Sequence, residues 1–237
     1  FPITNVTSKQ LLPIYDKPLI YYPLYTLMQS GIRNIIVISS KEYLPVYKKL
    51  LDQNFNVNFK FIVQEKPEGI AQSFMITNQI IKNFHRIVLI LGDNIFFSDK
   101  IHIEIKKSFL SEKAFLFSYK CKSPNQYGVL KRLKNKNKYK IIEKPNKFIS
   151  NEIITGLYSY PNDVISLAKN LKKSKRNEYE ISDINNFFIK ERRVHISNLN
   201  RNDKWFDAGT FETLFDANKF VRDKFNKGKK IFDPNIF

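Results

Sequence analysis

Two continuous apolar runs early in the chain indicate buried strands. NIIVISS (34–40) and RIVLILGDN (86–94) have strand length, are rich in β-branched residues and end in small polar residues. Strands of a parallel sheet that is covered on both faces have this pattern, because neither of their faces is polar. Helical patterns lie around these runs at residues 19–31, 41–51 and 70–84. The alternation predicts βαβ crossovers in a doubly wound sheet with helices on both faces.

After about residue 112 the pattern changes to several short strands. They are predicted at AFLFSYKC (114–121), YGVLKRL (127–133), YKIIEKP (139–145) and IITGLYSY (153–160). A lysine-rich hairpin, residues 131–140, joins the middle two strands. The predicted sheet therefore becomes mixed in this part of the chain.

Helical patterns return towards the carboxyl terminus, at residues 161–171, 180–192 and 210–225. Ser182 or Asp183 is a candidate cap for the second of these helices, and Thr210 for the third. In the first helix of the chain, Pro18 lies near the start and Gly31 marks the end. With no internal repeat and no long linker, residues 1–237 are predicted to form one α/β domain. Its expected fold is Rossmann-like, with a mixed, mainly parallel sheet flanked by helices.

The composition is strongly basic, with a net charge of +18 and an isoelectric point of about 9.8. Such a charge attracts polyanions, so nucleic acid has to be considered as a partner. The densest basic stretches, KRLKNKNKYK (131–140) and KKSKR (172–176), fit a hairpin tip and a helix-end loop. No recognition helix, zinc-ligand spacing or aromatic RNA-binding strand accompanies them. Specific nucleic-acid binding is therefore not predicted.

The apolar runs are all much shorter than the ~20 residues that a bilayer crossing needs, and the start has no signal-peptide pattern. The single cysteine, Cys121, cannot form an internal disulfide and lies in a strand pattern, where a buried, inert thiol is expected. These features predict a soluble cytoplasmic protein without a membrane partner.

Acidic residues directly after predicted strands are the first candidates for chemistry, because ligands of open α/β sheets bind at the carboxyl ends of strands. Asp93 follows RIVLILG and could hold a Mg²⁺ that carries phosphate, or could cap the next turn. Asp207 in KWFDAGT could line the same cleft, or form an Asx turn before a helix. Glu143 and Lys144, at the end of YKIIEKP, could bind sugar hydroxyls and a phosphate, or be solvated ions.

Other catalytic classes lack their residues in this sequence. The three histidines do not form a zinc-type cluster, and no G-x-S-x-G elbow supports a serine nucleophile. What remains is carboxylate and metal chemistry on phosphates.

Eight motifs, taken together in order and spacing, carry a resemblance to one family. They are SKQLLPIYDKPLIYYPL (8–24), VQEKPEGIAQSF (63–74), LGDNIF (91–96), QYGV (126–129), EKP (143–145), TGLYSY (155–160), RNEYEISDIN (176–185) and WFDAG (205–209). The chain resembles the glucose-1-phosphate thymidylyltransferases, which make dTDP-glucose and pyrophosphate from dTTP and glucose 1-phosphate. The resemblance implies a fold of the nucleotide-diphospho-sugar transferase type.

The resemblance also implies a role for individual residues. Lys9 corresponds to the lysine that holds the nucleotide's phosphates, Asp93 and Asp207 to the ligands of Mg²⁺, and Gln64 and Gly69 to the thymine contacts. The residues that match the sugar-phosphate pocket are Tyr127, Gly128, Glu143, Lys144, Ile154, Arg176 and Glu178. Within that set Lys144 would reach the sugar phosphate, and Glu143 the sugar hydroxyls. Lys17 is interpreted as structural.

The chain departs from the family at both ends. The family's first strand and its Gly-rich turn, G-G-x-G-T-R-L, would immediately precede Phe1, and helices used in subunit contacts and in a regulatory site would follow Phe237. By this resemblance the chain is expected to be a fragment of a homo-oligomer, a homotetramer in the family. We expect these residues alone to fold poorly and to be essentially inactive, since several sheet bonds and phosphate contacts would be lost.

The activity implied is an in-line displacement at the α-phosphorus of dTTP, the first step of dTDP-rhamnose synthesis. Two alternatives stay open. One is a related sugar nucleotidyltransferase that uses another nucleoside triphosphate. The other is an inactive protein that binds anions or a partner enzyme.

Overall fold

The computed structural model describes residues 7–52, 55–133, 139–228 and 231–232. The strands in these residues are β1 (Pro13–Ile14), β2 (Lys17–Pro18), β3 (Asn34–Ser39), β4 (Asn58–Val63), β5 (Arg86–Ile90), β6 (Asn94–Phe97), β7 (Ala114–Lys120), β8 (Gly128–Arg132), β9 (Tyr139–Glu143), β10 (Glu152–Pro161), β11 (Val194–Asn198) and β12 (Lys204–Asp207). The helices are α1 (Tyr21–Gln29), α2 (Leu44–Leu51), α3 (Gln72–Ile76), α4 (Asn78–Ile81), α5 (Ile101–Ser108), α6 (Val164–Lys169), α7 (Ile181–Lys190) and α8 (Phe211–Asn226).

Every strand and helix predicted from the hydrophobic pattern is present, with small shifts at the ends. One predicted helix, residues 70–84, is divided at Thr77 into α3 and α4. The pattern missed β1, β2, β4, β6, α5, β11 and β12. Most of these elements are short or half-exposed. They therefore contain too few regularly spaced apolar residues for a helix or strand to be predicted from the sequence.

Two helices end or begin at the residues that the sequence predicts. Gly31, with φ of +86°, ends α1, where its N–H donates to Met28 and the N–H of Ile32 donates to Leu27. These two bonds form a Schellman motif, which favours glycine because of its left-handed backbone. Thr210 caps α8 in a reciprocal pair of hydrogen bonds with Thr213.

The prediction that Ser182 or Asp183 caps the helix over 180–192 is wrong. Helix α7 begins at Ile181, so both residues lie inside its first turn. Glu180 occupies the N-cap position, and its side chain accepts no hydrogen bond from the helix. The Glu180 carboxylate instead accepts a hydrogen bond from the hydroxyl of Ser174, at 2.7 Å.

The chain divides into two units. Unit 1 comprises Phe1–Glu65, Ile90–Ile103 and Arg201–Phe237, and unit 2 comprises Lys66–Leu89 and Glu104–Asn200. The prediction of one domain over residues 1–237 stays a prediction.

Unit 1 contains three two-stranded ladders in its described residues: β3 with β4 in parallel, β6 with β12 antiparallel, and the β1–β2 hairpin. Helix α1, the β1–β2 hairpin and helix α8 supply its apolar core. The buried members are Ile14, Leu19, Tyr22, Ile95, Ala208, Ala217 and Val221. This core fixes the ladder of β6 and β12, because Ile95 and Ala208 belong to it.

Unit 2 is built around a sheet with the strand order β11-β7-β10-β8-β9, and β5 also pairs with β10. Strand β11 runs parallel to β7, while β10 is antiparallel to both β7 and β8, and β8 is antiparallel to β9. All ten residues of β10 are buried. The Tyr160 ring packs against Phe74 and Phe188 at centroid distances of 5.6 and 5.7 Å. The mixed α/β fold predicted from the sequence is confirmed.

The predicted lysine-rich hairpin has the expected antiparallel strands. Lys131 pairs with Lys140, and Arg132 pairs with Tyr139. The tip of this hairpin, residues 134–138, lies outside the described residues.

Cys121 follows β7. The sequence predicted a buried thiol, but Cys121 is only half-buried. Burial raises the pKa of its thiol, which keeps the sulfur protonated and poorly nucleophilic at neutral pH. None of the helices in the described part of the chain combines the length and the apolar character that a bilayer crossing requires.

Candidate active site

The β6–β12 ladder of unit 1 brings two candidate carboxylates to the same end. Its register places Asp207 opposite Asn94, which directly follows Asp93. The ladder continues through the N–H of Ala208, which donates to the carbonyl of Asp93 at 2.9 Å. Asp93 and Asp207 are far apart in the chain, and antiparallel pairing makes them neighbours.

Lys9 adds a positive charge to this ladder end. Its Nζ donates to the carbonyl of Gly209 at 3.0 Å and lies 3.8 Å from Oδ2 of Asp93. The Lys9 and Asp93 side chains are 27% and 23% exposed, so both can meet a ligand. An ammonium and a carboxylate that are both partly open to solvent can bind a phosphate and its metal counter-ion together.

Neighbouring residues hold Asp93 in place. Asn94 is buried, and its Nδ2 donates to Oδ1 of Asp93 at 3.1 Å. Oδ1 of Asn94 in turn accepts from the indole N–H of Trp205 at 2.7 Å. The sequence reasoning missed Asn94, although it directly follows Asp93 in LGDN. Because each of these groups fixes the next, the Asp93 carboxylate has a defined orientation.

Two glycines leave space beside the ladder end. A Cβ at Gly209 would lie 3.0 Å from Oδ1 of Asp207, and a Cβ at Gly92 would lie 2.9 Å from Cγ of Gln10. Both distances are too short for a side chain unless a neighbour moves. Gly209 therefore keeps the Asp207 carboxylate accessible from that side.

The donor set fits Mg²⁺. This ion prefers oxygen ligands, keeps several waters, and is commonly bound by one or two carboxylates together with substrate phosphates. In the part of the chain that the structure describes, no group of three or more His, Cys, Asp or Glu side chains could hold a metal.

Gln64 directly follows β4 in unit 1. Its N–H donates to the carbonyl of Ser39, the last residue of β3, at 2.8 Å. Gln64 therefore lies at the carboxyl ends of two parallel strands, where ligands of α/β folds bind.

Gly69, in unit 2, has a structural reason to be glycine. Its φ is +103°, and a Cβ would lie only 2.5 Å from the carbonyl oxygen of Tyr179. Both the left-handed backbone and this close approach exclude a side chain. The need for glycine here does not depend on a ligand.

Strand register in unit 2 gathers most of the predicted sugar-phosphate set. Gly128 of β8 pairs with Glu143 of β9 on one side and with Ile154 of β10 on the other. A Cβ at Gly128 would lie 3.3 Å from Oε2 of Glu143, so the glycine leaves room beside this carboxylate. Ile154 is only 5% exposed, and so offers little surface to a ligand.

The next pair along the same ladder is Tyr127 and Lys144. The N–H of Lys144 donates to the carbonyl of Tyr127 at 3.0 Å. Lys144 has φ of +40°, a conformation that side chains other than glycine, asparagine and aspartate rarely adopt. Such conformations are concentrated at functional sites, where they aim a side chain.

Arg176 lies among three carboxylates. Its guanidinium is 2.8 Å from Glu178, and 3.6 Å from both Glu143 and Glu180. Glu143, Arg176 and Glu178 were predicted to belong together, and the structure brings them together. Glu180 was missed, although R-N-E-Y-E places it four residues after Arg176. It is 8% exposed, and so belongs to the interior of the cluster.

The cluster changes the acidity of Glu143. Burial raises the pKa of Glu143, and the nearby Glu180 carboxylate raises it further. The positive charges of Lys144 and Arg176 lower this pKa, as does a hydrogen bond from Ser182. Burial disfavours the charged form, and a like charge nearby does the same. Glu143 therefore titrates closer to neutral pH than an ordinary glutamate.

Lys17, interpreted as structural, has partners away from the ladder end. It forms an ion pair with the adjacent Asp16, and its Nζ lies 5.5 Å from the centre of the Phe232 ring. These contacts agree with a structural role.

Comparisons with known proteins place the chain among enzymes that transfer nucleotidyl groups. The nucleotidyl transferase family model matches residues 1–224. A glucose-1-phosphate thymidylyltransferase of Mycolicibacterium smegmatis is 39% identical over 236 residues, which cover 98% of this chain and 82% of the relative. The enzyme of the same name from Neisseria meningitidis is 40% identical over 94% of this chain and 78% of its own length.

Solved structures agree with this relationship. A crystal structure from Bacillus anthracis, provisionally assigned as a glucose-1-phosphate thymidylyltransferase and bound to sucrose, has a TM-score of 0.85 and 36% identity, covering 94% of this chain and 90% of that one. A UDP-glucose pyrophosphorylase bound to UDP-glucose has a TM-score of 0.77 with 21% identity over 94% of each chain, and shows the shared fold alone. With a family model over nearly its whole length and relatives near 40% identity, the chain belongs to the nucleotidyl transferase family.

Proposed function

We propose that this protein converts dTTP and glucose 1-phosphate into dTDP-glucose and pyrophosphate. The observation that carries the proposal is that strand register gathers two sets of residues suited to this displacement. In unit 1 the register places Asp207 opposite Asn94, next to Asp93, and Lys9 lies 3.8 Å from Asp93. In unit 2 Glu143 pairs with Gly128, and the N–H of Lys144 donates to Tyr127. The names of the relatives support the same reaction.

The unit 1 set would bind the triphosphate. Asp93 and Asp207 would hold Mg²⁺, which when bound neutralises charge on the reacting phosphates. Lys9, placed beside Asp93, would contact the phosphate oxygens and stabilise the charge that develops on the leaving pyrophosphate. Asn94 keeps the Asp93 carboxylate in the orientation that this requires.

The unit 2 set would bind the sugar phosphate. An ionised Glu143 accepts hydrogen bonds from sugar hydroxyls, in the space that Gly128 leaves beside it. Lys144, which directly follows Glu143 and has φ of +40°, would contact the phosphate. Arg176 and Glu178 would fix Glu143 and contribute to the pocket, and Ile154 would underlie it.

The displacement would need no covalent enzyme intermediate. A phosphate oxygen of glucose 1-phosphate attacks the α-phosphorus of dTTP, and the bond from that phosphorus to the pyrophosphate oxygen breaks. The protein's part is to align the attacking and leaving oxygens and to stabilise negative charge.

The choice of base would depend on Gln64 and Gly69. A glutamine amide offers both a donor and an acceptor, which match the pairing edge of thymine. Gly69, whose missing side chain makes room for the Tyr179 backbone, would contact the base through its own backbone. Uracil has the same edge, so discrimination against UTP would need a contact with the thymine methyl group or a site that excludes the ribose 2′-hydroxyl.

Pyrophosphate release by the protein expressed from its full reading frame tests the proposal directly. With glucose 1-phosphate as acceptor, dTTP should give the highest kcat/KM among dTTP, UTP, CTP and GTP. A clear preference for another triphosphate would replace the proposal with a related nucleotidyltransferase. No release with any of the four would favour the inactive, anion-binding alternative.

The pH profile tests the Glu143 cluster. If ionised Glu143 binds the sugar, kcat/KM for glucose 1-phosphate falls as pH falls through its raised pKa. Glu180→Gln removes a negative charge that raises this pKa, so the acid limb should move to lower pH. The exposed Glu191→Gln serves as a control and should leave the limb unchanged. An acid limb at the same pH in Glu180→Gln and in the wild type would contradict the assignment.

We also propose a cellular location, a pathway and an oligomeric state for the enzyme. Both substrates are phosphorylated anions that membranes exclude, so we place the enzyme in the cytoplasm. Its product would enter dTDP-rhamnose and polysaccharide synthesis, and the enzyme would act as a homo-oligomer, a homotetramer as in its family.

A further inference from the structure

Two irregular segments of unit 2 are bound to each other through their backbones. One is residues 66–71, which contains Gly69, and the other is residues 173–180, which contains Arg176. The N–H of Tyr179 donates to the carbonyl of Glu68 at 2.7 Å, and the N–H of Ala71 donates to the carbonyl of Tyr179 at 3.3 Å. Gly69 packs directly on the Tyr179 backbone.

Side chains reinforce the same junction. Lys173 forms an ion pair with Oε1 of Glu68, and its Nζ lies 5.3 Å from the centre of the Tyr179 ring. Oε2 of Glu68 accepts from Nε2 of Gln72 at 3.1 Å, and Oε1 of Gln72 accepts from the N–H of Glu68 at 3.1 Å. Glu68 is thus held by both segments at once.

The two segments lie outside the helices and strands over most of their length, so these contacts decide where they lie. Gly69 at φ +103° and Asn177 at φ +61° each turn their segment sharply, which leaves little regular structure to support it. The position of each segment therefore depends on its contacts with the other. Gly69 directly follows Glu68, and Arg176 lies between Lys173 and Tyr179 in the second segment.

We propose that Glu68, Lys173 and Tyr179 form a latch that couples the binding of the nucleotide base to the binding of the sugar phosphate. The latch rests on the proposed roles of Gly69 and Arg176. When a substrate binds and orders one segment, the latch also orders the other segment. Each substrate therefore strengthens the binding of the other substrate. These three are positioning residues, because they act through Gly69 and Arg176.

Calorimetric titration of glucose 1-phosphate tests the latch, with and without a saturating α,β-methylene analogue of dTTP, which cannot react. The ratio of the two dissociation constants is the coupling factor. We expect glucose 1-phosphate to bind more tightly with the analogue present in the wild type. Lys173→Met should lower this factor, by up to about fivefold for a partly exposed ion pair.

Matched variants separate coupling from a general structural effect. Lys173→Arg, which keeps the charge, should restore the factor, and the exposed Lys172→Met should leave it unchanged. Glu68→Gln should resemble Lys173→Met, and the double variant should add little, because both remove one interaction. Melting temperatures monitor folding.

The outcomes are distinct. A wild-type protein that binds neither ligand alone would overturn the proposed function, and the latch with it. Binding of both ligands with no coupling, or coupling that is unchanged in Lys173→Met and Glu68→Gln, would overturn the latch alone.

Discussion

Replacing Asp93 or Asp207 with Asn should reduce turnover of dTTP by roughly a thousandfold, equivalent to about 4 kcal/mol of transition-state stabilisation. Asn keeps the size of the side chain but removes the negative charge that holds the metal. Because the β6–β12 ladder places both carboxylates at one end, either substitution should have nearly the full effect. Steady-state pyrophosphate release over a range of Mg²⁺ concentrations measures it.

Asp99→Asn is the matched control, since Asp99 is an exposed aspartate close to the same ladder. Its turnover should equal that of the wild type. Melting temperatures of all three variants should stay close together, because the side-chain shape is conserved. Turnover near the wild-type rate in Asp93→Asn at limiting Mg²⁺ would show that this carboxylate does not bind the metal.

Lys9→Met should lower kcat by roughly 10²- to 10³-fold, the usual cost of losing one group that stabilises charge in the transition state. Methionine retains most of the aliphatic stem but lacks the ammonium that lies 3.8 Å from Asp93. The loss should appear in kcat more than in the KM for glucose 1-phosphate, since Lys9 would contact only the nucleotide. Single-turnover kinetics measures the chemical step.

Lys17→Met provides the control for this variant, because Lys17 is also partly exposed but pairs with Asp16 and Phe232. It should change stability slightly and leave kcat unchanged. Equal losses of kcat in the Lys9 and Lys17 variants would mean that the effect comes from the net charge and not from a phosphate contact.

Much of the secondary structure followed from the sequence because its causes are local. The apolar runs of β3, β5 and β7 and the end of α1 at Gly31 depend on residues within a few positions. The predicted cap of α7 is wrong although Ser182 and Asp183 are good caps by type. The helix begins at Ile181, and the side chain of Glu180 at the N-cap position bonds to Ser174, outside the helix.

The sequence by itself determined which residue types were available for binding phosphate, metal and sugar, and where the longer helices and the apolar strands would form. Only the tertiary structure decided which of these residues meet. Asp207 reaches Asp93 through the register of β12 on β6, and Gly128 lies between Glu143 and Ile154 through the register of three strands. Glu180 joins Glu143 through Arg176. Register depends on burial and pairing between segments distant in the chain, and shifting it by one residue would turn the strand side chains Asp207 and Glu143 to the opposite face.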